Sequence, residues 1–168
     1  MTTSDIDRSA RFTRSESIHI DATPQQVWDL VTDIARTGEW SPICKACWWK
    51  EPATGPEVGA WFFGRNETPE RVWETQSRVV AAQEPVEFAW MVNGDAVRWS
   101  YTIEPDDDGT TLTESWAVQP AGFELFAQRF GDDADAQVAA KPLGEPVVEP
   151  VAEATEATAA EPADADSK

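Results

Sequence analysis

The long alternation of apolar and polar residues between 58 and 118 constrains this chain more than any other feature. It runs in segments bounded by turn signals, the pattern of half-buried strands. Five strands are predicted, at 58–65, 71–83, 86–92, 96–104 and 111–118. Asn93-Gly94 signals a tight hairpin, since both residues tolerate positive φ. Asp106, Asp107, Asp108 and Gly109 form a second turn cluster, and Glu84-Pro85 separates the second and third strands. Because side chains alternate, turn lengths decide which residues share a face. A two-residue turn at Asn93-Gly94 sets Trp90 opposite Val97 and Phe88 opposite Trp99; a turn at Glu84-Pro85 sets Val79 opposite Trp90. With a two-residue turn inside 106–109 and a five-residue loop at 66–70, one continuous face results. It carries Trp61 and Phe63, then Trp73, Thr75, Ser77 and Val79, then Phe88, Trp90 and Val92. It continues through Val97, Trp99, Tyr101 and Ile103 to Leu112, Glu114, Trp116 and Val118. The reverse face, with Glu74, Gln76, Arg78, Arg98, Ser100, Thr102 and Thr113, is polar. An antiparallel sheet with one aromatic face needs a cover, so the fold class is α+β.

The flanks supply candidate covers. Ile18 and Ile20 alternate with Ser17, His19 and Asp21, which predicts a strand at 16–21. A helix follows, with Thr23 as N-cap, Pro24 in its first turn, and Val27, Trp28, Leu30, Val31 and Ile34 as its apolar stripe. Gly38 ends it. Residues 46–51 read as a short strand and 52–57 as a loop. Beyond the last strand a short helix is predicted at 122–130, and Asp132-Asp133 caps another that Pro142 limits to about two turns.

All nine tryptophans lie between Trp28 and Trp116, which places the folded domain. From 132 to 168, ten acids face only Lys141 and Lys168, so this stretch carries −8 of the net −18 and leaves −10 for residues 1–131. Its Ala, Glu, Pro and Thr content buries too little apolar area to order itself. The expected division is a mobile 1–14, a domain at 15–141 and an acidic disordered tail at 142–168. The negative charge makes nucleic acid and anionic membrane surfaces poor partners. No apolar run approaches the ~20 residues that span a bilayer, and the polar start lacks a signal-peptide segment. A cytoplasmic protein with reduced Cys44 and Cys47 is expected.

The run IHIDATPQQVWDLVTD at 18–33 resembles the opening strand and helix of the START-like, Bet v 1-like helix-grip (SRPBCC) superfamily, most of all its polyketide cyclase/dehydrase branch. Trp40-Ser41-Pro42, VGAWFFGRN at 58–66 and GTTLTESW at 109–116 extend the likeness across roughly 16–130. The resemblance implies about seven antiparallel strands curved around a long C-terminal helix, with a hydrophobic cavity between. Pro142, Pro146 and Pro150 depart from that pattern and imply a short or interrupted helix.

On that reading the aromatic face becomes a cavity wall. The candidate ligand-binding residues are Trp40, Trp61, Phe63, Arg65, Trp73, Thr75, Trp90, Trp99, Tyr101 and Trp116. Tryptophan is bulky and carries an N–H that needs a partner, so a wall of it suits ring-shaped ligands better than plain core packing. Glu114, between Leu112 and Trp116 on the apolar face, is the candidate catalytic acid or base; a structural hydrogen bond to Tyr101 or Arg65 is the plainer reading. Arg65 would anchor an anionic or enolate oxygen, or snorkel to the rim. Cys44 and Cys47 are spaced as CxxC, but a zinc site needs about four ligands and the chain has one histidine besides them. A redox motif would need a thioredoxin-like context, which is absent. No metal or redox role is therefore expected, and the two thiols are placed, buried, near the cavity mouth. No motif sets a nucleophile beside His19, and no glycine-rich phosphate loop occurs, so no cofactor is indicated. Three functions remain open: binding of a hydrophobic, aromatic or polycyclic molecule; cyclase or dehydratase chemistry at Glu114; and protein interaction through an open sheet face or the tail. A protein partner or homodimer is left open as well.

Overall fold

The computed structural model describes residues 12–133 and 135–136. Seven strands form one antiparallel sheet: β1 (Thr13–Ile20), β2 (Cys44–Trp49), β3 (Trp61–Thr68), β4 (Arg71–Gln83), β5 (Glu87–Val92), β6 (Val97–Pro105) and β7 (Thr110–Val118). Their order is β1-β7-β6-β5-β4-β3-β2, a meander from β2 to β7 with β1 added at the far edge. Helix α1 (Pro24–Thr32) and a 3-10 segment (Ile34–Glu39) connect β1 to β2, and helix α2 (Pro120–Phe130) follows β7. This is the helix-grip α+β fold.

Helix α1 starts where the sequence predicts. Thr23 accepts from the Gln26 backbone N–H, the Gln26 side chain accepts from the Thr23 N–H, and Pro24 needs no partner in the first turn. The capped helix ends sooner than its apolar stripe implies, and Ile34 falls in the 3-10 segment.

The hairpins show which turn lengths set the faces. Pro105 pairs with Thr110, and Ile103 with Leu112, as the expected turn in 106–109 requires. Val79 pairs with Trp90 as expected, although two changes cancel to give that result: a three-residue turn at 84–86 and a bulge between Val79 and Ala81. The β5–β6 turn holds four residues rather than two, with Asn93, Gly94 and Asp95 all at positive φ. Trp90 therefore meets Trp99, not Val97, but the slip by two keeps every side chain on its face.

The β3–β4 turn is the exception. Thr68 pairs with Arg71 across two residues instead of a five-residue loop, which shifts β3 by an odd number. Phe62, Gly64 and Asn66 consequently face inward, opposite Ser77, Thr75 and Trp73. Trp61, Phe63 and Arg65 stand on the outer face.

Two cores fill the ends of the inner face. Val27, Trp28, Val31 and Ile34 pack on Phe62, Val79, Phe88 and Ile103. At the other end Phe12 and the α2 residues Phe123 and Phe126 pack on Ala96, Val97, Trp116 and Val118. Helix α2 sits so close to the β5–β6 turn that a Cβ on Gly122 would lie 2.2 Å from the Ala96 carbonyl oxygen. Gly131, at φ +58°, ends α2. The helix expected at 132–141 lies largely outside the described residues, as do 1–11 and the tail expected at 142–168.

Candidate ligand cavity

Between the two cores lies a cavity of about 450 Å³. Its floor is the inner face of the sheet. Leu30 and Val31 of α1, Ile34 and Thr37 of the 3-10 segment, and Trp40, Ser41 and Pro42 beyond it form the roof. No α2 residue lines it. Trp40, 39% exposed, and Ile18, 59% exposed, stand at the mouth.

Trp90 organises the aromatic floor. Its ring lies 6.4 Å from Trp99 and nearly parallel to it, at 9°, while Phe88 and Tyr101 tilt against it at 5.2 and 5.5 Å. Phe62 meets Trp90 edge-on at 6.0 Å. Offset and edge arrangements of this kind suit the ring quadrupoles. They arise because Trp90, Trp99 and Tyr101 occupy inward positions on the neighbouring β5 and β6, and Phe62, inward on β3, reaches Trp90 across β4.

Of the expected lining residues, Trp40, Thr75, Trp90, Trp99 and Tyr101 border the cavity, as does Glu114. The others stand elsewhere, for three separate reasons. The two-residue β3–β4 turn sends Trp61, Phe63 and Arg65 outward; Phe63 stacks on Trp48 at 5.8 Å there, and Arg65 pairs in register with Glu74. Trp73 keeps the inner face but lies near the β3–β4 hairpin end, buried, with the Arg71 guanidinium 4.1 Å from its ring centroid. Trp116 keeps the inner face and belongs to the core against α2, 1% exposed. Neither the Trp73 nor the Trp116 indole N–H meets an acceptor among the described residues.

The acidic lining is concentrated at one side. Tyr101 and Glu114 are cross-strand partners on β6 and β7, and Glu16 is the partner of Glu114 on β1. The Trp40 indole and Glu114 both lie close enough to the Tyr101 hydroxyl to act on its titration. Burial and the Glu114 charge keep the phenol protonated well above its ordinary range. Burial likewise pushes the Glu114 carboxyl up; the Tyr101 hydrogen bond opposes this, and the Glu16 charge adds to it. Asn66 donates to the Gly64 carbonyl at 3.2 Å, and Thr75 reaches the same oxygen at 3.4 Å. Among the described residues that line the cavity there is no lysine, arginine or histidine, while two, Glu16 and Glu114, are acids.

Sequence reasoning overlooked Glu16, although it lies two positions before Ile18 and so shares its face. It overlooked Phe62 and Asn66 because they depend on the β3 shift.

The raised Glu114 pKa has a measurable consequence. The folded chain holds this proton more tightly than the unfolded chain, so the stability it contributes is complete below the ordinary carboxylate pKa and is lost as pH rises through the folded value. Glu114→Gln keeps a polar side chain of the same size beside Tyr101 and removes the charge. The variant is expected to melt with the parent below about pH 4 and above it at neutral pH. Thermal melts across this range check the sign; a variant that melts lower at neutral pH contradicts it.

The family model described as polyketide cyclase / dehydrase and lipid transport matches residues 11–158. The chain belongs to that family. Among solved structures, a polyketide-cyclase-like protein from Corynebacterium glutamicum is 50% identical, with a TM-score of 0.57 over 76% of this chain and 77% of its own. The ginseng major latex-like protein 151 from Panax ginseng shares this fold at 13% identity and a TM-score of 0.54, over 74% of this chain and 95% of its own. So does the di-domain aromatase/cyclase of steffimycin biosynthesis, at 9% identity and 0.55, over 80% of this chain and 51% of its own. No curated protein matches the chain in sequence. Among the described residues, no helix is long and apolar enough to cross a membrane.

Proposed function

We propose that the cavity binds a hydrophobic, ring-containing small molecule that is neutral or basic rather than anionic. The observation that carries this reading is the lining itself: stacked Trp90 and Trp99 with Tyr101 and Trp40 on one side, Glu16 and Glu114 on the same side, and no cationic residue among the described residues that line it. Apolar walls favour a desolvated body. A carboxylate group on the ligand would lie beside half-buried Glu114, with exposed Glu16 beyond it and no counter-charge in the lining, which is costly. An ammonium group would gain both the acids and the aromatic faces.

A matched series tests this by calorimetry at neutral pH: 2-(2-naphthyl)ethylamine, 2-naphthaleneethanol and 2-naphthylacetic acid. The amine is expected to bind at least tenfold more tightly than the acid, about 1.4 kcal/mol, with the alcohol between them. Equal affinities remove the charge preference and leave the cavity reading intact. No binding by any member contradicts the reading itself.

One observation favours a second reading, chemistry at Glu114. A half-buried carboxyl with a raised pKa, set across the strand pair from a protonated tyrosine, is equipped to take a proton from a carbon next to a carbonyl. Arg65 has no part in this reading, because it faces away. Deuterium exchange into 2-tetralone, a neutral ring-containing ketone, in heavy water tests it: faster exchange that Glu114→Gln abolishes supports the chemistry, and exchange at the buffer rate removes it.

A further inference from the structure

We propose that Cys44 and Cys47 form an oxidisable dithiol in the cavity wall, which an organic hydroperoxide admitted to the cavity converts to an intramolecular disulfide. The spacing alone does not produce such a pair. Residues three apart on a regular strand point to opposite faces. Here the register shifts between Cys44 and Ala46, leaving Lys45 out of the pairing, so that Cys44 lies opposite Asn66 and Cys47 opposite Gly64. Both thiols therefore face the cavity, with their sulfurs 3.3 Å apart.

The neighbours leave the pair accessible. A Cβ on Gly64 would lie 3.5 Å from the Cys44 sulfur and 3.6 Å from the Cys47 sulfur, so the glycine keeps the space beside both open. Each thiol is half-buried and borders a space whose walls are mostly apolar, which favours a reactant with an apolar body. The pair is also polarised. The hydrogen bond with Cys47 lowers the Cys44 pKa, while the same bond and burial raise that of Cys47.

The chemistry balances. The Cys44 thiolate attacks the terminal oxygen of the hydroperoxide, the O–O bond breaks, and the alkoxide leaves as the alcohol with the proton Cys44 gave up. The Cys47 sulfur then attacks the Cys44 sulfenic acid, the S–O bond breaks, and hydroxide leaves as water with the Cys47 proton. Two thiols lose two electrons, and the hydroperoxide becomes one alcohol and one water.

The reduced full-length protein tests this with cumene hydroperoxide and, separately, hydrogen peroxide. Cumene hydroperoxide is expected to lower the intact mass by about 2 Da, the two hydrogens lost on disulfide formation, to remove both titratable thiols, and to act at least tenfold faster than hydrogen peroxide. Dithiothreitol reverses the change. Cys47→Ser is expected to stop at a sulfenic acid on Cys44 that dimedone traps, and Cys44→Ser to give little adduct at Cys47. Thiols that stay reduced, or a disulfide that only joins two chains, overturn the proposal. Equal rates with the two peroxides overturn the apolar reactant.

Discussion

Trp116→Ala is expected to cost about 3–5 kcal/mol of folding stability, roughly 10–20 °C in Tm for a domain of this size. Trp116 is 1% exposed and packs with Phe12, Val97, Phe123 and Phe126, so truncation leaves a large cavity in the core that holds α2 on the sheet. Its N–H meets no acceptor among the described residues, so the loss comes from packing and apolar burial alone. Trp61→Ala is the comparison. Trp61 is 36% exposed on the outer face, and its loss should stay within about 1 kcal/mol. Urea unfolding of both variants measures the difference. Similar losses at the two positions would contradict the assignment of faces.

The second large effect concerns affinity. Gly64→Leu places a branched side chain on the inward face of β3, where a Cβ already lies 3.1 Å from the Thr75 hydroxyl. The rest of the side chain projects into the cavity, and affinity for the naphthyl amine is expected to fall at least tenfold. Arg65→Leu, one residue along on the outer face, should leave affinity within twofold. Circular dichroism and Tm confirm that both variants fold. An Arg65→Leu loss as large as that of Gly64→Leu would return β3 to the register expected from a five-residue turn.

That pair of positions also marks how much was legible in the sequence. The inner faces of β4 to β7 follow from alternation alone, because turn lengths that differ by two residues preserve the face. The β5–β6 turn changed from two residues to four, and Trp99 still pointed inward. The β4–β5 turn gained a residue, and the bulge after Val79 restored the register. In β3 the difference was odd and nothing compensated for it, so Trp61, Phe63 and Arg65 exchanged places with Phe62, Gly64 and Asn66. Alternation could not decide this, since Trp61, Phe62 and Phe63 are all aromatic. Trp73 and Trp116 were placed on the right face but outside the cavity, because strand periodicity gives direction and not depth along the sheet. The Cys44–Cys47 pair needed the irregularity at Lys45, which leaves no signal in composition or spacing.

The indole N–H signals of the tryptophans test the central claim most directly. In a titration with the naphthyl amine followed by nitrogen–proton correlation spectra, with each signal assigned by single substitution, Trp40, Trp90 and Trp99 are expected to shift together along one binding curve. Trp48 and Trp61, on the outer face, should stay fixed. Shifts confined to Trp48 and Trp61 would contradict a ligand cavity between the sheet and the 24–42 segment.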